Sequence, residues 1–206
     1  MNEYHKIQSV FKRESERPCR IIEGQYSLPE FEYLKDNIWT FTEKVDGTNI
    51  RIILKDGQLK FGGKTDNASI PVFLYDKLNA IFSVDKLTEK FTGDVCLYGE
   101  GYGAKIQKGG GNYISNGVDF VLFDVKISNY WLNRDAINEI ADYLNIKSVP
   151  IIGEGTLQDA IEMTRKGFKS QWGDFIAEGI VARPKTELFT RNGNRIITKI
   201  KYRDFK

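Results

Sequence analysis

The chain reads TEKVDGTN over residues 42–49, and this stretch is the most informative part of the sequence. Lys44 stands at the end of a predicted strand, two residues before an Asp-Gly corner of the kind that joins strands. A lysine amine is a nucleophile only when it is deprotonated, which requires desolvation or nearby positive charge. Taken alone, the pattern is compatible with a nucleophile at Lys44 without being specific for one. The alternative is a lysine on a solvated strand face, followed by an ordinary turn.

Strands and hairpins extend in both directions from this stretch. Alternating or β-branched runs predict strands, and apolar spacings of three and four predict helices, one of them capped by Asn133 or Asp135. The predicted strands are residues 39–43, 49–54, 59–61, 95–100, 120–125, 176–182 and 195–202, and the predicted helices are residues 71–82, 133–144 and 155–167. Hairpins outnumber strand–helix–strand alternations, so we expect an α+β fold with curved, mainly antiparallel sheets.

Composition limits the kind of protein this chain is. With 206 residues, 41% of them apolar, it has enough material for one sizeable core, which predicts a single domain over residues 1–206. The net charge is only +2, so any surface for nucleic acid must be local. Cys19 and Cys96 lie far apart, which predicts two reduced, buried thiols. No apolar run approaches eighteen residues and no signal peptide precedes the domain, which predicts a cytoplasmic location without a membrane segment.

Two glycine-rich stretches resemble nucleotide-binding loops without matching them. Residues 62–65 read GGKT, but the first glycine of a Walker loop would fall on Gln58. Residues 99–103 read GEGYG, and their glycines are spaced two apart throughout, unlike the dinucleotide fingerprint. The sequence therefore argues against a P-loop kinase and against a Rossmann domain.

Five other residues have side chains suited to a nucleotide site. Glu100, between two glycines, can accept hydrogen bonds from ribose hydroxyls, and Phe123 can stack on a purine. Glu178 beside an apolar strand can hold magnesium, and Lys199 and Lys201 share one strand face, where they can neutralise phosphate. The alternatives are a loop carboxylate at Glu100, a core ring at Phe123, a strand-end carboxylate at Glu178 and a solvated edge strand for the two lysines.

The order of these residues resembles a known family signature. Segments similar to the motifs of covalent nucleotidyltransferases, the superfamily of DNA ligases, RNA ligases and messenger-RNA capping enzymes, follow one another along the chain. They are residues 44–49, 98–101, 120–125, 178–183 and 199–201. Residues 22–31 also resemble the leader of small phage-type RNA ligases, including the T4 RNA ligase 2 group.

The resemblance implies an adenylation domain whose sheets and flanking helices surround an ATP cleft. It implies an ATP-dependent RNA ligase that forms lysyl-AMP on Lys44 with Mg²⁺, or Mn²⁺, held by Glu178. It also implies that Lys199 and Lys201 are catalytic with Lys44. The nucleotide-binding residues that it implies are Glu43, Lys44, Val45, Asn49, Lys64, Glu100, Phe123, Glu178, Lys199 and Lys201.

The implied second substrate is RNA with a 5′-phosphate and a 3′-hydroxyl end. Two departures from the family pattern concern RNA. Lys64 stands where the RNA ligase 2 group has an arginine, so the bidentate fork is lost. No OB-fold or helical domain follows Lys201, so we expect RNA contacts from an accessory protein or domain in trans, or from the surface near Lys105 and Lys108. A viral or phage gene acting in a host cytoplasm fits the same resemblance.

Other functions compatible with the motifs stay open. A DNA ligase core or a GTP-using capping enzyme needs the same lysine chemistry. A noncatalytic nucleotide- or RNA-binding module of the same fold would not need a lysine nucleophile. The nucleotide bound and the polynucleotide sealed separate these alternatives.

Overall fold

A computed structural model describes residues 3–206 of the chain and gives an α+β fold. The strands are β1 (Gln8–Ser9), β2 (Phe11–Arg13), β3 (Ile21–Tyr26), β4 (Trp39–Glu43), β5 (Thr48–Lys55), β6 (Gln58–Gly62), β7 (Val95–Gly103), β8 (Val118–Ile127), β9 (Tyr130–Trp131), β10 (Lys147–Ser148), β11 (Ile151–Gly155), β12 (Gly179–Pro184) and β13 (Thr198–Lys201). The helices are α1 (Pro29–Tyr33), α2 (Val72–Ile81), α3 (Val84–Lys90), α4 (Arg134–Leu144) and α5 (Leu157–Lys166), and short 3₁₀ helices cover Gly110–Asn112 and Tyr202–Phe205.

The described residues group into two compact units. Unit 1 contains residues 3–5 and Asp46–Val149, and unit 2 contains Lys6–Val45 and Pro150–Lys206. Each unit has its own hydrophobic core. The single domain expected over residues 1–206 stays a prediction, and residues 1 and 2 of that range lie outside the described residues.

Unit 1 is built on one sheet with the strand order β10-β8-β7-β5-β6, and β9 pairs with β8. Adjacent strands of this sheet are antiparallel, except that β10 runs parallel to β8. One face of the sheet contributes Ile50, Ile52, Phe120 and Leu122 to a core completed by α2, α3 and α4. Because successive strand residues point to opposite faces, Asn49 and Arg51 lie on the other face.

Unit 2 contains a second sheet with the order β1-β13-β12-β4-β11, and β2 and β3 form a separate hairpin. Only β1, which runs parallel to β13, departs from antiparallel pairing among the described strands of this sheet. Trp39, Phe41, Ile180 and Ile200 enter a core with α1 and α5. β4 therefore lies inside the sheet, between β11 and β12.

Most of the predicted elements are confirmed, and their capping residues explain where the helices begin. The Asn133 side chain accepts a hydrogen bond from the Ala136 N–H at the start of α4, and Thr156 forms a capping box with Asp159 at α5. The sequence did not predict α3. This helix has seven residues, too few for a helical period to be read, although Ser83 caps it.

Two strand predictions began too early. β12 starts at Gly179 instead of residue 176, and β13 starts at Thr198 instead of residue 195. The residues before each strand are occupied by isolated bridges, Lys169 with Ile176 and Phe189 with Arg195. Glu178 consequently lies just before its strand.

The two cysteines differ in burial, and both are free thiols. Cys96 is fully buried in β7, and this burial raises the pKa of its thiol to about 11. Cys19 is partly exposed, so the prediction of a buried residue is wrong at this position. No helix within residues 3–206 has both the length and the apolar character needed to span a lipid bilayer.

Candidate active site

Lys44 directly follows the last residue of β4 in unit 2. Its backbone N–H donates to the Gly179 carbonyl oxygen at 2.9 Å, which extends the pairing of β4 with β12 by one residue. The next residue, Val45, is buried. The backbone at Lys44 is therefore held by sheet pairing and by burial of its neighbour.

The Lys44 side chain ends on the carboxylate of Glu178. Lys44 Nζ lies 2.6 Å from Glu178 Oε2, and Lys201 Nζ lies 2.7 Å from Glu178 Oε1. The exposed fractions of the three side chains are 21% for Lys44, 12% for Glu178 and 16% for Lys201. One carboxylate thus joins two ammonium groups in a mostly desolvated row, so the Glu178 charge stays compensated by one lysine when the other moves away.

The position of Glu178 depends on the glycine that follows it. Gly179 has a φ of +155°, and a Cβ there would lie 2.0 Å from the Ile200 carbonyl oxygen. A side chain would therefore separate the start of β12 from β13. The Tyr202 N–H donates to the Glu178 carbonyl oxygen at 2.9 Å, and Gly179 pairs with Lys201. These contacts bring the carboxylate next to the strand that carries Lys201.

Lys199 shares a sheet face with Lys201. The two residues are two apart on β13, and Ile200 between them is buried in the core of unit 2. Lys199 pairs with Val181 of β12 and with Ser9 of β1, and its side chain is half-buried. The predicted common face is confirmed, and the ion pair with Glu178 is made by Lys201.

Glu43, the residue before Lys44, is buried, with 1% of its surface exposed. Its carboxylate accepts hydrogen bonds from Ser170 Oγ at 2.5 Å and from the Gln171 N–H at 2.8 Å. Burial raises the pKa of Glu43, and these two hydrogen bonds oppose the shift. The side chain therefore fastens the segment after α5 to the end of β4.

The Asp-Gly corner belongs to unit 1. The Asp46 N–H donates to the Tyr113 hydroxyl oxygen at 3.0 Å, and Gln107 Nε2 donates to the Gly47 carbonyl oxygen at 3.0 Å. A Cβ on Gly47 would lie 2.3 Å from the Gly101 carbonyl oxygen and 2.7 Å from Glu100 Cγ. Only glycine permits this close approach to β7.

Asn49 and Glu100 are directly opposite each other on neighbouring strands of unit 1. Glu100 lies within β7, so the alternative of a loop carboxylate does not hold. Asn49 Oδ1 is buried and has no hydrogen-bond donor among the described residues. A buried acceptor of this kind is costly unless a partner reaches it, which makes Asn49 suited to a ligand donor.

Phe123 occupies an irregular position of β8. Tyr98 pairs with Asp124 and the adjacent Gly99 pairs with Leu122, so the register skips Phe123. Strand alternation places Phe123 on the sheet face opposite Leu122, which contributes to the core, and Phe123 is half-buried. The alternative of a core phenylalanine therefore does not hold.

Lys64 is exposed in the connection after β6. The connection is anchored by Arg51, a β5 residue with 1% of its surface exposed. Arg51 Nε donates to the Gly63 carbonyl oxygen at 2.8 Å, and its Nη2 lies 2.7 Å from Asp66 Oδ1. These bonds on both sides of Lys64 fix the backbone from which its side chain extends.

The residues that fit a divalent metal are few. Within residues 3–206, no three carboxylate, histidine or cysteine side chains lie close enough to hold an ion by themselves. Magnesium in nucleotide enzymes is often bound through one or two carboxylates together with substrate phosphates and water. Glu178 is compatible with this mode, in which the nucleotide completes the coordination.

Two open surfaces carry cations that could meet RNA. A cavity of about 410 Å³ in unit 1 is lined by Lys77 and Lys105, with Lys77 paired to Asp119 at 3.5 Å. A larger cavity of about 690 Å³ belongs to unit 2. Its cationic lining residues are Arg13, Arg20, Arg203 and Lys206. The cavity of unit 2 is therefore lined by more cationic side chains than the expected surface near Lys105, and the sequence did not predict it.

Several residues at these positions escaped sequence reasoning. Arg51 was detectable as a lone cation in an otherwise apolar strand, and its burial required a partner. Ser170, Gln107 and Tyr113 carry no comparable signal because they reach Glu43 and the corner at residues 46–47 from 60 or more positions away along the chain. Such contacts are visible only after the chain has folded.

A family model for RNA ligases matches residues 37–201. The chain matches no curated protein sequence. Among solved structures it is similar to an RNA ligase of Naegleria gruberi with pyrophosphate, at 21% identity and a TM-score of 0.67, over 84% of this chain and 52% of that one. A variant of that ligase with AMP and manganese has 20% identity and a TM-score of 0.66, over 84% and 52%.

An arginine-to-alanine variant of the same Naegleria ligase, with ATP and manganese, has 18% identity and a TM-score of 0.71, over 98% of this chain and 56% of that one. The chain thus spans about half the length of the ligase structures that it resembles, and the likeness establishes the adenylation-type α+β fold. The family match covers most of the chain and includes Lys44, Glu178 and both lysines of β13. This protein belongs to the RNA ligase family.

Proposed function

We propose that this protein is an ATP-dependent RNA ligase that carries AMP on Lys44. The observation that carries the proposal is the row formed by Lys44, Glu178 and Lys201, in which a strand-end amine lies 2.6 Å from a carboxylate held by a second cation. Membership of the RNA ligase family supports it. The Naegleria ligase structures contain ATP, AMP or pyrophosphate, which supports the choice of ATP as the nucleotide.

In the first proposed step, the neutral Lys44 amine attacks the α-phosphorus of ATP in line with the bond to the β-phosphate. A nitrogen–phosphorus bond forms as the phosphorus–oxygen bond breaks, and pyrophosphate leaves with the electron pair. The amine loses a proton, and AMP remains on Nζ as a phosphoramidate. Positioning and charge neutralisation supply most of the catalysis in such phosphoryl transfers.

The ion pair with Glu178 has a specific consequence for this step. Lys44 Nζ lies 2.6 Å from Glu178 Oε2, and this ion-pair contact has to be broken before the amine can reach a phosphorus atom. Lys44 must leave Glu178 to attack, and Lys201 then still neutralises the carboxylate through its other oxygen. Lys199, on the same face, adds a second cation for the α-phosphate as charge builds there. We propose that Lys201 keeps Glu178 in place while Lys44 reacts.

Glu178 is also the residue that we propose to hold Mg²⁺ or Mn²⁺. A bound divalent ion neutralises charge on phosphate oxygens and on the leaving group. Manganese in the Naegleria ligase structures supports a divalent-ion requirement. The binding residue and the ion-paired residue are then the same carboxylate, so metal and Lys44 compete for it.

The proposed nucleotide contacts in unit 1 follow from the chemistry of each side chain. Phe123 offers a half-buried ring for the purine, and Glu100 offers acceptors for ribose hydroxyls. Asn49 has a buried oxygen that a ligand donor would satisfy. Lys64 supplies a cation to phosphate from a connection fixed by Arg51. In unit 2, Glu43 and Val45 contribute through the backbone position of Lys44, because both side chains are buried.

In the later steps, an oxygen of the RNA 5′-phosphate displaces Lys44 from AMP, and a 3′-hydroxyl then displaces AMP to seal the strand. We propose that the basic cavity of unit 2 binds RNA, in preference to the surface near Lys105 and Lys108. The acidic residues that line this cavity are already ion-paired, Glu23 with Arg165 and Asp204 with Arg13. An accessory protein in trans, a cytoplasmic location and a viral origin stay predictions.

The proposal is tested by incubating the protein with α-labelled ATP and magnesium. We expect label on the protein that is lost in acid and retained in alkali, as a phosphoramidate requires. Parallel reactions with GTP, and with nicked RNA against nicked DNA, separate the capping and DNA ligase alternatives. Absence of protein-bound label would support a noncatalytic binding module.

A further inference from the structure

The N-terminal clasp, residues 3–5, lies against the sheet of unit 1 beside Phe123. The Tyr4 hydroxyl donates to Asp124, a residue with no exposed surface. The Tyr4 ring lies 5.1 Å from the Phe123 ring between centroids, at 72°, and 5.1 Å from the Tyr98 ring. One tyrosine therefore contacts the bulged phenylalanine and the buried carboxylate next to it.

Further contacts stabilise the clasp and hold it at this place. Tyr4 also packs edge-on against Trp131 at 5.7 Å and stacks on His5 at 4.5 Å. The Asp66 N–H donates to Glu3 Oε1 at 2.9 Å, which ties the clasp to the connection that carries Lys64. Edge-to-face aromatic pairs are directional, so this cluster restricts the orientation of each ring in it.

Phe123 lies at a bulge of β8, where the register with β7 shifts. Tyr4 approaches the Phe123 ring at a steep angle, in a contact that constrains the ring's orientation. The Tyr4 hydroxyl also donates to Asp124, the residue next to Phe123.

We propose that Tyr4 is a positioning residue that holds the Phe123 ring in the orientation in which it stacks on the purine of the nucleotide. This inference rests on the proposed function, because it assigns Phe123 to the purine. It concerns the base alone, so losing Tyr4 weakens binding of base-containing ligands and leaves phosphate binding unchanged. Tyr4 touches no substrate itself.

The test compares Tyr4→Leu, Tyr4→Phe and the matched control Tyr143→Leu in the self-adenylation reaction. Tyr143 is also a partly exposed tyrosine of unit 1, and it contacts Lys86 and Lys90 instead of the clasp. For Tyr4→Leu we expect the KM for ATP to rise about two- to tenfold with little change in kcat, since one oriented aromatic contact is lost. Tyr4→Phe keeps the ring and should recover most of the affinity, whereas Tyr143→Leu should match the wild type.

A second measurement separates a base effect from loosened structure. Inhibition of self-adenylation by AMP reports base and phosphate together, and inhibition by inorganic tripolyphosphate reports phosphate alone. Tyr4→Leu should weaken inhibition by AMP by about the same factor as it raises the KM for ATP. It should change inhibition by tripolyphosphate by no more than about twofold. Equal weakening of both inhibitors, an unchanged KM, or a lower KM would overturn the assignment.

The proposed function and this inference fail in different ways. If the wild-type protein forms no lysyl-AMP at saturating ATP, the ligase proposal fails. If the wild type forms lysyl-AMP and Tyr4→Leu retains the wild-type KM, only the role of Tyr4 is refuted.

Discussion

The two units build their candidate sites from different materials. Unit 2 brings charges together, with Lys44 and Lys201 on one carboxylate, and it buries a second carboxylate at Glu43. Unit 1 brings rings together. The ring centroids of Tyr98, Phe123 and Trp131 lie 5.1 to 5.7 Å from the ring centroid of Tyr4. Charges neutralise a phosphate and rings offer flat faces to a base, so the comparison predicts that variants in unit 2 lower kcat and variants in unit 1 raise KM.

The largest effect is expected for Lys44→Ala. Removing the proposed nucleophile leaves no atom for AMP, so protein-bound label should fall to background when adenylation is followed with α-labelled ATP. Lys185→Ala is the matched control, because Lys185 is an exposed lysine of unit 2 paired with Glu154. Undiminished label on Lys44→Ala would move the nucleophile elsewhere.

A smaller loss is expected for Lys201→Gln. Glu178 Oε1 then loses its cation, so both Glu178 placement and neutralisation of the phosphate are impaired, and kcat should fall roughly a hundredfold or more. Single-turnover adenylation at saturating ATP measures this directly. A raised KM for ATP with an unchanged kcat would contradict the expectation that variants in unit 2 act on kcat.

Phe123→Ala tests the other side of the comparison. Loss of a base-stacking ring weakens binding by about 1–3 kcal/mol, so we expect the KM for ATP to rise roughly fivefold to a hundredfold. The effect on kcat should be smaller than for Lys201→Gln. Phe123→Tyr keeps the ring and serves as the control, and equal losses in both variants would argue against stacking.

The smallest effect concerns stability, and it comes from Glu43. Its folded-state pKa is raised, so the folded protein retains the Glu43 proton to higher pH than the unfolded chain does. The contribution of Glu43 to the free energy of unfolding is therefore fully present below the ordinary pKa near 4.5 and falls as pH rises through the folded-state pKa. Urea denaturation of the wild type and of Glu43→Gln should show this decline only in the wild type.

Local patterns in the sequence were sufficient for many features of both units. Trp39–Glu43 was predicted with the observed bounds, and α4 was predicted with its Asn133 cap, because alternation and capping are properties of neighbouring residues. The face shared by Lys199 and Lys201 followed from strand alternation alone. The likeness of five short segments to a family indicated the ligase fold, although no single segment was specific.

Contacts between distant segments decided the rest. Only the folded chain determined that Lys201 pairs with Glu178, and that a bulge of β8 lies at Phe123. The hydrogen bond from Tyr4 to Asp124, 120 positions later in the chain, was likewise not predictable from the sequence. The physical reason is that alternation and propensity act over a few residues, whereas ion pairs and ring packing depend on which strands the whole fold makes neighbours.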